Sequence, residues 1–443
     1  ELDKSVRAFE NDSLIFTNRI FKNPPNHLTS HFLNQTTNMQ IGILGGGAAG
    51  FFAAIHCKLF NPQVEVTILE KSQKLLSKVK ISGGGRCNVT NVESDISKLA
   101  RHYPRGERQL SKAFREFNTS DTIRFFEERG VPQVVQEDGC VFPKSQDSQS
   151  IIDCFMSECK RLKIEIQTGV AVEELSRTQD QKWQVKSKSD TYVFDKLIVA
   201  IGGLPKTEQQ QWLVDLGQPM IAPFPSLFTF NMPNESIRGL MGIVAPQALT
   251  RIPGSKHQGF GPLLITHWGM SGPAILMLSA KAARELGLCA YQFTCHVSWL
   301  GITREDVVLD LLLKAQKERS KKHVGGASFE GLSTRLWRFL LEKTQINPEK
   351  SWEALSGKEL NKLTVTLTQD AYSVTGKTTF KEEFVTAGGV DLKHINFKTM
   401  ESKCLPNLHF AGEILDIDGL TGGFNFQAAW TTAWLAARGC ALS

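Results

Sequence analysis

The chain has 443 residues, of which 41% are hydrophobic and 22% charged, and its formal net charge is +6. This composition is ordinary for a globular protein with a large core, and the length predicts two or three domains. No apolar run reaches the roughly 18 residues of a membrane span, and the charge pattern lacks the dense basic blocks of nucleic-acid tails. We therefore expect no membrane association and no nucleic-acid partner.

The first 38 residues differ in character from the rest of the chain. They contain no apolar core of a secretory signal, and their acidic residues argue against an organellar transit peptide. We expect residues 1–38 to be a disordered or non-native extension. The nine cysteines include no C-x-x-C pair, which favours free thiols in a reducing, cytoplasmic compartment and predicts no metal site.

A glycine-rich motif lies at the start of the predicted domain. Gly45, Gly47 and Gly50 form G-x-G-x-x-G after a predicted strand and at the opening of a predicted helix. Glu70 ends the next predicted strand, 20 residues beyond Gly50. The glycines permit a tight turn, close approach of a pyrophosphate and helix packing, and the acid suits a ribose. The segment therefore predicts a dinucleotide-binding unit.

The C-terminal segment favours FAD over a nicotinamide cofactor. A buried strand is predicted in Leu408–Glu413, followed by Gly422 and Gly423, and Asn425 is expected to cap an apolar helix that reaches Gly439. The N-terminus of such a helix carries partial positive charge. Reduced flavin is negative around N1 and the C2 carbonyl, so this helix would stabilise it.

The stretch "KISGGGRCNVTN", Lys80–Asn91, holds three successive glycines about ten residues after Glu70. Glycines cost conformational entropy, so the predicted reason for them is backbone that passes close to FAD. Arg86 and Asn88 then become candidate donors beside the flavin. Cys87 could be a redox thiol or a covalent flavin anchor, although no second cysteine lies near it in sequence.

The remaining periodicity predicts further elements. Helices are expected at Ser120–Gly130, capped by Ser120 or Asp121, and at Ser150–Lys163. Residues 164–203 have the pattern of a hairpin meander that ends in a buried strand, Lys196–Ala200. Strands are predicted from there to about Trp299, then helices, and strands again from Ala371.

Five motifs in this order carry a family resemblance: "GILGGGAAGFFAA", "ISGGGRCNVTN", "THWGMSGPAIL", "VTAGGVDLKHINFKTMESK" and "FAGEILDIDGLTGGFNFQAAW". From Met39 to the C-terminus the chain resembles the YhiN/BaiN-type flavoproteins, FAD-dependent oxidoreductases. The resemblance implies an α/β fold in which a Rossmann-like FAD-binding domain is split in sequence by a β-rich, barrel-like domain and a small helical domain. The predicted parts are 39–203 and 371–443 for the FAD domain, 204–300 for the β-rich domain and 301–370 for the helical domain.

The resemblance also implies a set of cofactor contacts. It places the glycine motif on the pyrophosphate, Glu70 on the adenosine ribose and Val170 near the adenine, and it assigns no catalytic residue. The predicted cofactor-binding residues are Gly45, Gly47, Ala49, Gly50, Glu70, Lys71, Gly84, Arg86, Cys87, Asn88, Val170, Gly202, Gly412, Glu413, Gly423, Phe424, Asn425 and Gln427. After "AIGGLPKT" the chain has "EQQQWLVDLGQP" where the family has a Gly-rich segment, so we expect a different substrate side.

The predicted function is hydride transfer between FAD and a small or medium-sized organic substrate. The residues leave open whether the protein reduces an enone-like substrate or oxidises an amine with oxygen. If NAD(P)H reduces the flavin, it binds transiently in the substrate pocket, because the sequence shows no second dinucleotide motif. An RNA-modifying enzyme and a non-catalytic FAD-binding protein are the alternatives.

Overall fold

The computed structural model describes residues 38–378 and 385–442. The predicted extension lies, apart from Asn38, outside the described residues. None of the described helices combines the length and apolar character needed to cross a membrane.

The described strands are β1 (Gln40–Leu44), β2 (Glu65–Glu70), β3 (Thr90–Asn91), β4 (Gln133–Val135), β5 (Cys140–Pro143), β6 (Glu165–Thr168), β7 (Val172–Arg177), β8 (Trp183–Ser187), β9 (Thr191–Phe194), β10 (Lys196–Val199), β11 (Met220–Ser226), β12 (Thr229–Asn231), β13 (Val244–Arg251), β14 (Gln258–Ile265), β15 (Gly269–Ser271), β16 (Phe293–Ser298), β17 (Asp370–Val374), β18 (Gly376–Thr378), β19 (Val385–Val390), β20 (Ile395–Asn396), β21 (Glu401–Ser402) and β22 (Leu408–Phe410). The described helices are α1 (Ala48–Phe60), α2 (Ser77–Gly85), α3 (Ile96–Ala100), α4 (Glu107–Ala113), α5 (Thr119–Glu127), α6 (Gln149–Arg161), α7 (Gln211–Asp215), α8 (Pro273–Lys281), α9 (Ala283–Leu288), α10 (Glu305–Glu318), α11 (Thr334–Lys343), α12 (Gly357–Gln369) and α13 (Phe424–Ala441).

The first large sheet has the order β20-β21-β22-β10-β1-β2-β6, and its strands from β22 to β6 are parallel. Ile43 of β1 lies in register with Ile68 of β2 and Ile198 of β10, and all three side chains are fully buried. Such strands need cover on both faces, as parallel sheets do. The predicted α/β, Rossmann-like architecture is confirmed.

Helices α1 and α13 pack against each other beside this sheet. Phe52 of α1 meets Trp430 of α13 with ring centroids 5.1 Å apart, and Phe155 of α6 lies 5.7 Å from the same indole. The first helix comes from the start of the described chain and the second from its end. This packing therefore joins the two sequence halves of the parallel sheet around one core.

The second large sheet is antiparallel, with the order β17-β16-β13-β14-β15-β12-β18. Its own core contains the buried indoles of Trp299, Trp337 and Trp352. Strands β11 and β19 pair antiparallel with each other between the two sheets. Residues 370–378 pair within the antiparallel sheet, and the predicted division into domains stays a prediction.

Several local predictions were wrong. The meander is split, because β6 and β10 belong to the parallel sheet while β7, β8 and β9 form a separate antiparallel sheet. Helix α5 is capped by Asn118 through a capping box with Asp121, so Ser120 and Asp121 are not its cap. Helices α8 and α9 lie where strands were predicted, since an apolar run of this length fits either element.

Candidate cofactor-binding site

A cavity of about 400 Å³ lies at the carboxyl ends of β1, β2, β10 and β22. This edge of an open parallel sheet is where α/β folds bind ligands. The cavity is lined by Gly45, Gly46, Gly47, Ala48, Ala49, Glu70, Lys71, Ser72, Lys74, Leu76, Ser77, Lys78, Ser82, Ala200, Ile201, Gly202, Val385, Gly412, Glu413, Ile417, Asn425, Phe426, Ala428, Ala429 and Thr432.

The glycine motif forms the turn from β1 into α1. Gly45 has φ +113° and its N–H donates to Leu69 O at 2.9 Å. A Cβ on Gly50 would lie 1.9 Å from Gly45 O, so only glycine allows the helix to pack on the turn. A Cβ on Gly47 would meet no atom within 4 Å, and Gly47 is the N-cap of α1. The cavity therefore reaches the bare backbone of a helix N-terminus, the surface that binds a pyrophosphate.

Glu70 lies at the end of β2, beside this turn. Its Oε2 accepts from the Gly46 N–H at 2.7 Å and its Oε1 accepts from the Ser72 N–H at 2.9 Å. Each carboxylate oxygen can accept more than one hydrogen bond, so both can also receive ribose hydroxyls. Its neighbour Lys71 also lines the cavity, with an exposed side chain.

We expect Glu70→Ala to weaken FAD binding by about 1–3 kcal/mol, the usual cost of leaving hydrogen-bond donors unpaired. The two backbone N–H groups of Gly46 and Ser72 would lose their acceptor as well. Titration of flavin-free protein with FAD, followed by flavin fluorescence, measures the change. Glu70→Gln is the control, because it keeps one acceptor oxygen and should lose less affinity than Glu70→Ala.

The glycine triplet is explained by its backbone. Ser82 leaves the helical conformation with ψ 151°, and Gly83, Gly84 and Gly85 follow with φ of +57°, +69° and +83°. Three successive left-handed residues are costly for any side chain other than glycine. Of this segment Ser82 lines the cavity, whereas Gly84 does not. The triplet therefore turns the chain away just beyond the cavity wall.

The three residues after the triplet do not line the cavity. The Arg86 guanidinium lies 4.2 Å from the Phe142 ring centroid and donates to Gln146 Oε1 at 3.3 Å. Cys87 is fully buried with φ +63°, and burial raises the pKa of its thiol to about 12. A thiol with this pKa is a poor nucleophile at neutral pH.

Asn88 lies between the triplet and the last helix. With its amide oriented so that both atoms are satisfied, it donates to Thr90 O and Val141 O and accepts from the Gly423 N–H at 3.1 Å. Asn88 therefore does not line the cavity itself but binds Gly423, the N-cap of α13.

Thiol accessibility gives a direct test of the environment of Cys87. Seven of the nine cysteines are buried, and Cys289 and Cys404 are exposed. We expect a thiol reagent such as DTNB to modify these two rapidly in native protein and all nine after unfolding in guanidinium chloride. Cys289→Ser combined with Cys404→Ser is the control and should abolish the rapid phase. Rapid modification in that double variant would contradict the burial of the seven remaining cysteines, and peptide mapping of the modified thiol would show whether it is Cys87.

The last helix, α13, begins at the flavin end of the predicted site. Gly423, with φ +87°, is its N-cap, so the prediction that Asn425 caps it was wrong. Asn425 instead forms two hydrogen bonds with the backbone of Gly419, at 2.8 and 3.0 Å, and lines the cavity. Helix N-terminal N–H groups lack intrahelical acceptors and carry partial positive charge. The cavity therefore has a second helix N-terminus in its wall.

Three other predicted residues are buried behind the cavity wall, two of them in α13 and one next to Glu70. Gln427 is fully buried, and its Oε1 accepts from Thr90 Oγ1 at 2.6 Å and Thr122 Oγ1 at 2.9 Å. Phe424 stacks on His102 with ring centroids 4.0 Å apart. Val170 is buried, and its N–H donates to Glu70 O at 2.9 Å. These three side chains do not line the cavity, whereas Gly202, Gly412 and Glu413 do.

Sequence reasoning missed most of the wall beyond the end of β2. Lys74, Leu76, Ser77 and Lys78 all line the cavity, and the Lys78 ammonium forms an ion pair with Glu413. The available signal was position, because this segment lies between Glu70 and the glycine triplet, both assigned to the cofactor. No residue type in it marks a cofactor contact by itself.

Comparison with known proteins identifies the family of this chain. The family model described as "HI0933-like protein Rossmann domain" matches residues 39–439. The chain is 30% identical to ribosomal RNA dihydrouridine synthase of Haemophilus influenzae, over 90% of this chain and 97% of that protein. It is 26% identical to 3-dehydro-bile acid delta(4,6)-reductase of Clostridium scindens, over 91% of this chain and 99% of that protein.

Among solved structures, 3-ketosteroid-delta4-(5alpha)-dehydrogenase of Rhodococcus jostii RHA1 matches with a TM-score of 0.47. The identity is 9%, over 92% of this chain and 98% of that chain. The family model spans nearly all of the described residues, and both curated relatives are covered almost completely. This chain therefore belongs to the HI0933-like family, the YhiN/BaiN-type flavoprotein oxidoreductases that its motifs resemble.

Proposed function

We propose that this protein is an FAD-dependent reductase that saturates a C=C bond conjugated to a carbonyl group in a small or medium-sized organic substrate. One observation carries the proposal. A single cavity has the N-terminus of α1 and Glu70 in one part of its wall and the N-terminus of α13 in another. A ligand with a ribose, a pyrophosphate and an electron-accepting ring would find Glu70 for the ribose, the N-terminus of α1 for the pyrophosphate and the N-terminus of α13 for the ring.

The residues at the nucleotide end fit the first two groups. Gly47 exposes backbone into the cavity without a Cβ, and the N-terminus of α1 attracts a pyrophosphate. Glu70 accepts hydrogen bonds from the adenosine ribose. We assign the adenine to the side of Glu70 where Val170 is buried and donates its N–H to Glu70 O.

The residues at the other end fit a flavin ring. When bound, FAD supplies a hydride from N5 of the reduced ring. The start of α13, positioned by Asn88 and Gln427, stabilises negative charge on the pyrimidine side of that ring. The Asn425 side chain forms two hydrogen bonds with Gly419, so its orientation in the cavity wall is fixed before the ring binds.

The names of the two relatives support the class of substrate. Uridine has a C=C bond conjugated to a ring carbonyl, and this bond is saturated in dihydrouridine; the other relative is named as a reductase of a 3-dehydro-bile acid. In the reaction that we propose for this protein, the substrate gains a hydride at the alkene carbon remote from the carbonyl and a proton at the carbon next to the carbonyl. We propose NAD(P)H as the electron donor, bound transiently in the substrate pocket.

Anaerobic reduction of the purified flavoprotein tests this function. NADH or NADPH should bleach the flavin absorbance, and an enone such as a 4-en-3-one steroid should restore it, with one saturated product for each flavin reoxidised. Bleaching by an amine such as aminoacetone, followed by fast peroxide release in air, would contradict the reductase and support an amine oxidase. Protein that binds no flavin would contradict both.

Reduction of uridine in RNA is the second candidate, favoured by the name of the relative with 30% identity. Lys71, Lys74 and Lys78 are exposed and line the cavity, so a polyanion could approach it. Incubation of reduced protein with unmodified ribosomal RNA, followed by mass spectrometry, should show a gain of two hydrogens in a uridine. If only the free enone is reduced, this candidate fails.

A further inference from the structure

Lys78 and Glu413 form an ion pair between two distant segments of the cavity wall. The Lys78 ammonium donates to Glu413 Oε2, and Glu413 Oε1 accepts from the Thr386 N–H at 3.0 Å. The Lys78 side chain is 62% exposed, whereas that of Glu413 is 18% exposed. The Glu413 carboxylate is thus held by the backbone of Thr386. The Lys78 ammonium lies at the end of a flexible side chain and is held by its ion pair with Glu413.

The ion pair lies close to the N-terminus of α1. A Cβ on Gly412, the residue before Glu413, would lie 2.8 Å from the Cβ of Ala49 in the first turn of that helix. A Cβ on Gly202 would lie 4.0 Å from Glu413 Oε2, the oxygen that binds Lys78. The positive charge of Lys78 is therefore held near the helix end that the proposed function assigns to the pyrophosphate.

Electrostatics favour a cation at this point. The charged residues of the cavity wall are Glu70, Lys71, Lys74, Lys78 and Glu413. The pyrophosphate of FAD carries two negative charges and would repel the Glu413 carboxylate if no cation lay between them. An ammonium has three N–H donors, so one can stay on Glu413 while others reach a phosphate oxygen.

We propose that Lys78 binds the pyrophosphate of FAD and that Glu413 positions its ammonium for this contact. The proposal rests on the FAD site of the proposed function and adds a binding residue that no motif indicated. The exposed ion pair itself stabilises the protein little, since solvent screens it. Its role is to keep a mobile cation at the place where the dianion binds.

Binding measurements on full-length protein freed of flavin test the proposal. FAD, ADP and riboflavin are the three probes, because ADP keeps the pyrophosphate without the flavin and riboflavin keeps the ring without the pyrophosphate. We expect Lys78→Gln to weaken FAD and ADP about tenfold or more, with riboflavin within about twofold. Lys78→Arg should stay within about threefold of wild type, because it keeps the charge and the donors.

Lys74→Gln is the matched control, since it removes the same charge from the same cavity wall. Within the described part of the chain, Lys74 forms no ion pair that would position its ammonium. We expect Lys74→Gln to lower the affinity for ADP less than about threefold, and this difference from wild type should disappear at high salt. For Lys78→Gln part of the loss of ADP affinity should persist at high salt, because the ammonium of Lys78 would contact the pyrophosphate directly.

Glu413→Gln separates positioning from direct contact. It should weaken ADP less than Lys78→Gln does, and the double variant should bind ADP no more weakly than Lys78→Gln alone. Wild-type affinity for ADP in Lys78→Gln, or an equal loss for riboflavin, would overturn the inference while the FAD site stands. Wild-type protein that binds neither FAD nor ADP would overturn the proposed function and the inference with it.

Discussion

Gly50→Ala is expected to yield protein without bound flavin and with a strongly lowered melting temperature. The added Cβ would lie 1.9 Å from Gly45 O and 3.5 Å from Ile43 Cγ2, so α1 cannot stay against the turn at the end of β1. Overpacking of this severity costs about 3 kcal/mol or more. Because α1 also packs on α13, the displacement would reach both halves of the parallel sheet. Flavin content per chain and thermal unfolding measure the effect.

Gly47→Ala is the matched control for this prediction. The same methyl group would meet no protein atom within 4 Å, because it projects into open space. We expect a melting temperature within about 2 °C of wild type, since nothing in the fold is displaced. FAD binding should nevertheless weaken, because the methyl group occupies the place of the pyrophosphate. Full flavin content in Gly50→Ala, or normal FAD affinity in Gly47→Ala, would contradict the assignment of this turn.

The turn is also where prediction from sequence worked best. The residues that determine this turn are close together in sequence. They are an apolar strand, the three glycines that follow it and the acid at the end of the next strand, and this pattern is typical of one backbone conformation. Gly45, Gly47, Ala49 and Glu70 were predicted as cofactor contacts and all line the cavity. Their role in binding FAD stays a prediction, which the substitutions of Gly47, Gly50 and Glu70 test.

Prediction was weaker where the backbone conformation depends on distant partners. The triplet at 83–85 was expected to make room for FAD, and its glycines adopt successive left-handed conformations that the sequence did not indicate. The place of Asn88 beside the flavin stays a prediction, and the hydrogen bonds of its amide to Val141 and Gly423 could not be foreseen. Local sequence indicates that glycine is needed, and only the tertiary structure shows which turn requires it.

Long-range polar pairs could not be predicted at all. Lys78 and Glu413 are 335 residues apart, and Arg105 and Asp418 are 313 residues apart. Charged residues in a single sequence carry no sign of their partner, because nearly all of them face solvent in folded proteins. A pair between segments so far apart in sequence is therefore visible only once the chain segments have been brought together.

Arg105 and Asp418 form such a pair where segments next to the parallel sheet meet β11 and α8. The Asp418 carboxylate is fully buried and accepts hydrogen bonds from Nε and Nη2 of the Arg105 guanidinium, and Ser226 Oγ donates to it at 2.6 Å. The guanidinium also donates to Ala280 O, at the end of α8, at 2.9 Å. One buried network thus joins the loop before α4, the end of β11, the helix α8 and the segment that leads into α13.

Arg105→Met is expected to lower the free energy of unfolding by about 3–5 kcal/mol, because it leaves the buried Asp418 carboxylate without a countercharge. Urea unfolding at pH 7 measures the loss. Adding Asp418→Asn to Arg105→Met should recover part of it, since no buried charge then remains. Arg124→Met, which breaks the exposed pair with Asp121, should cost less than about 1 kcal/mol. If Arg105→Met were as mild as Arg124→Met, this network would not hold β11 and α8 against the segment that leads into α13.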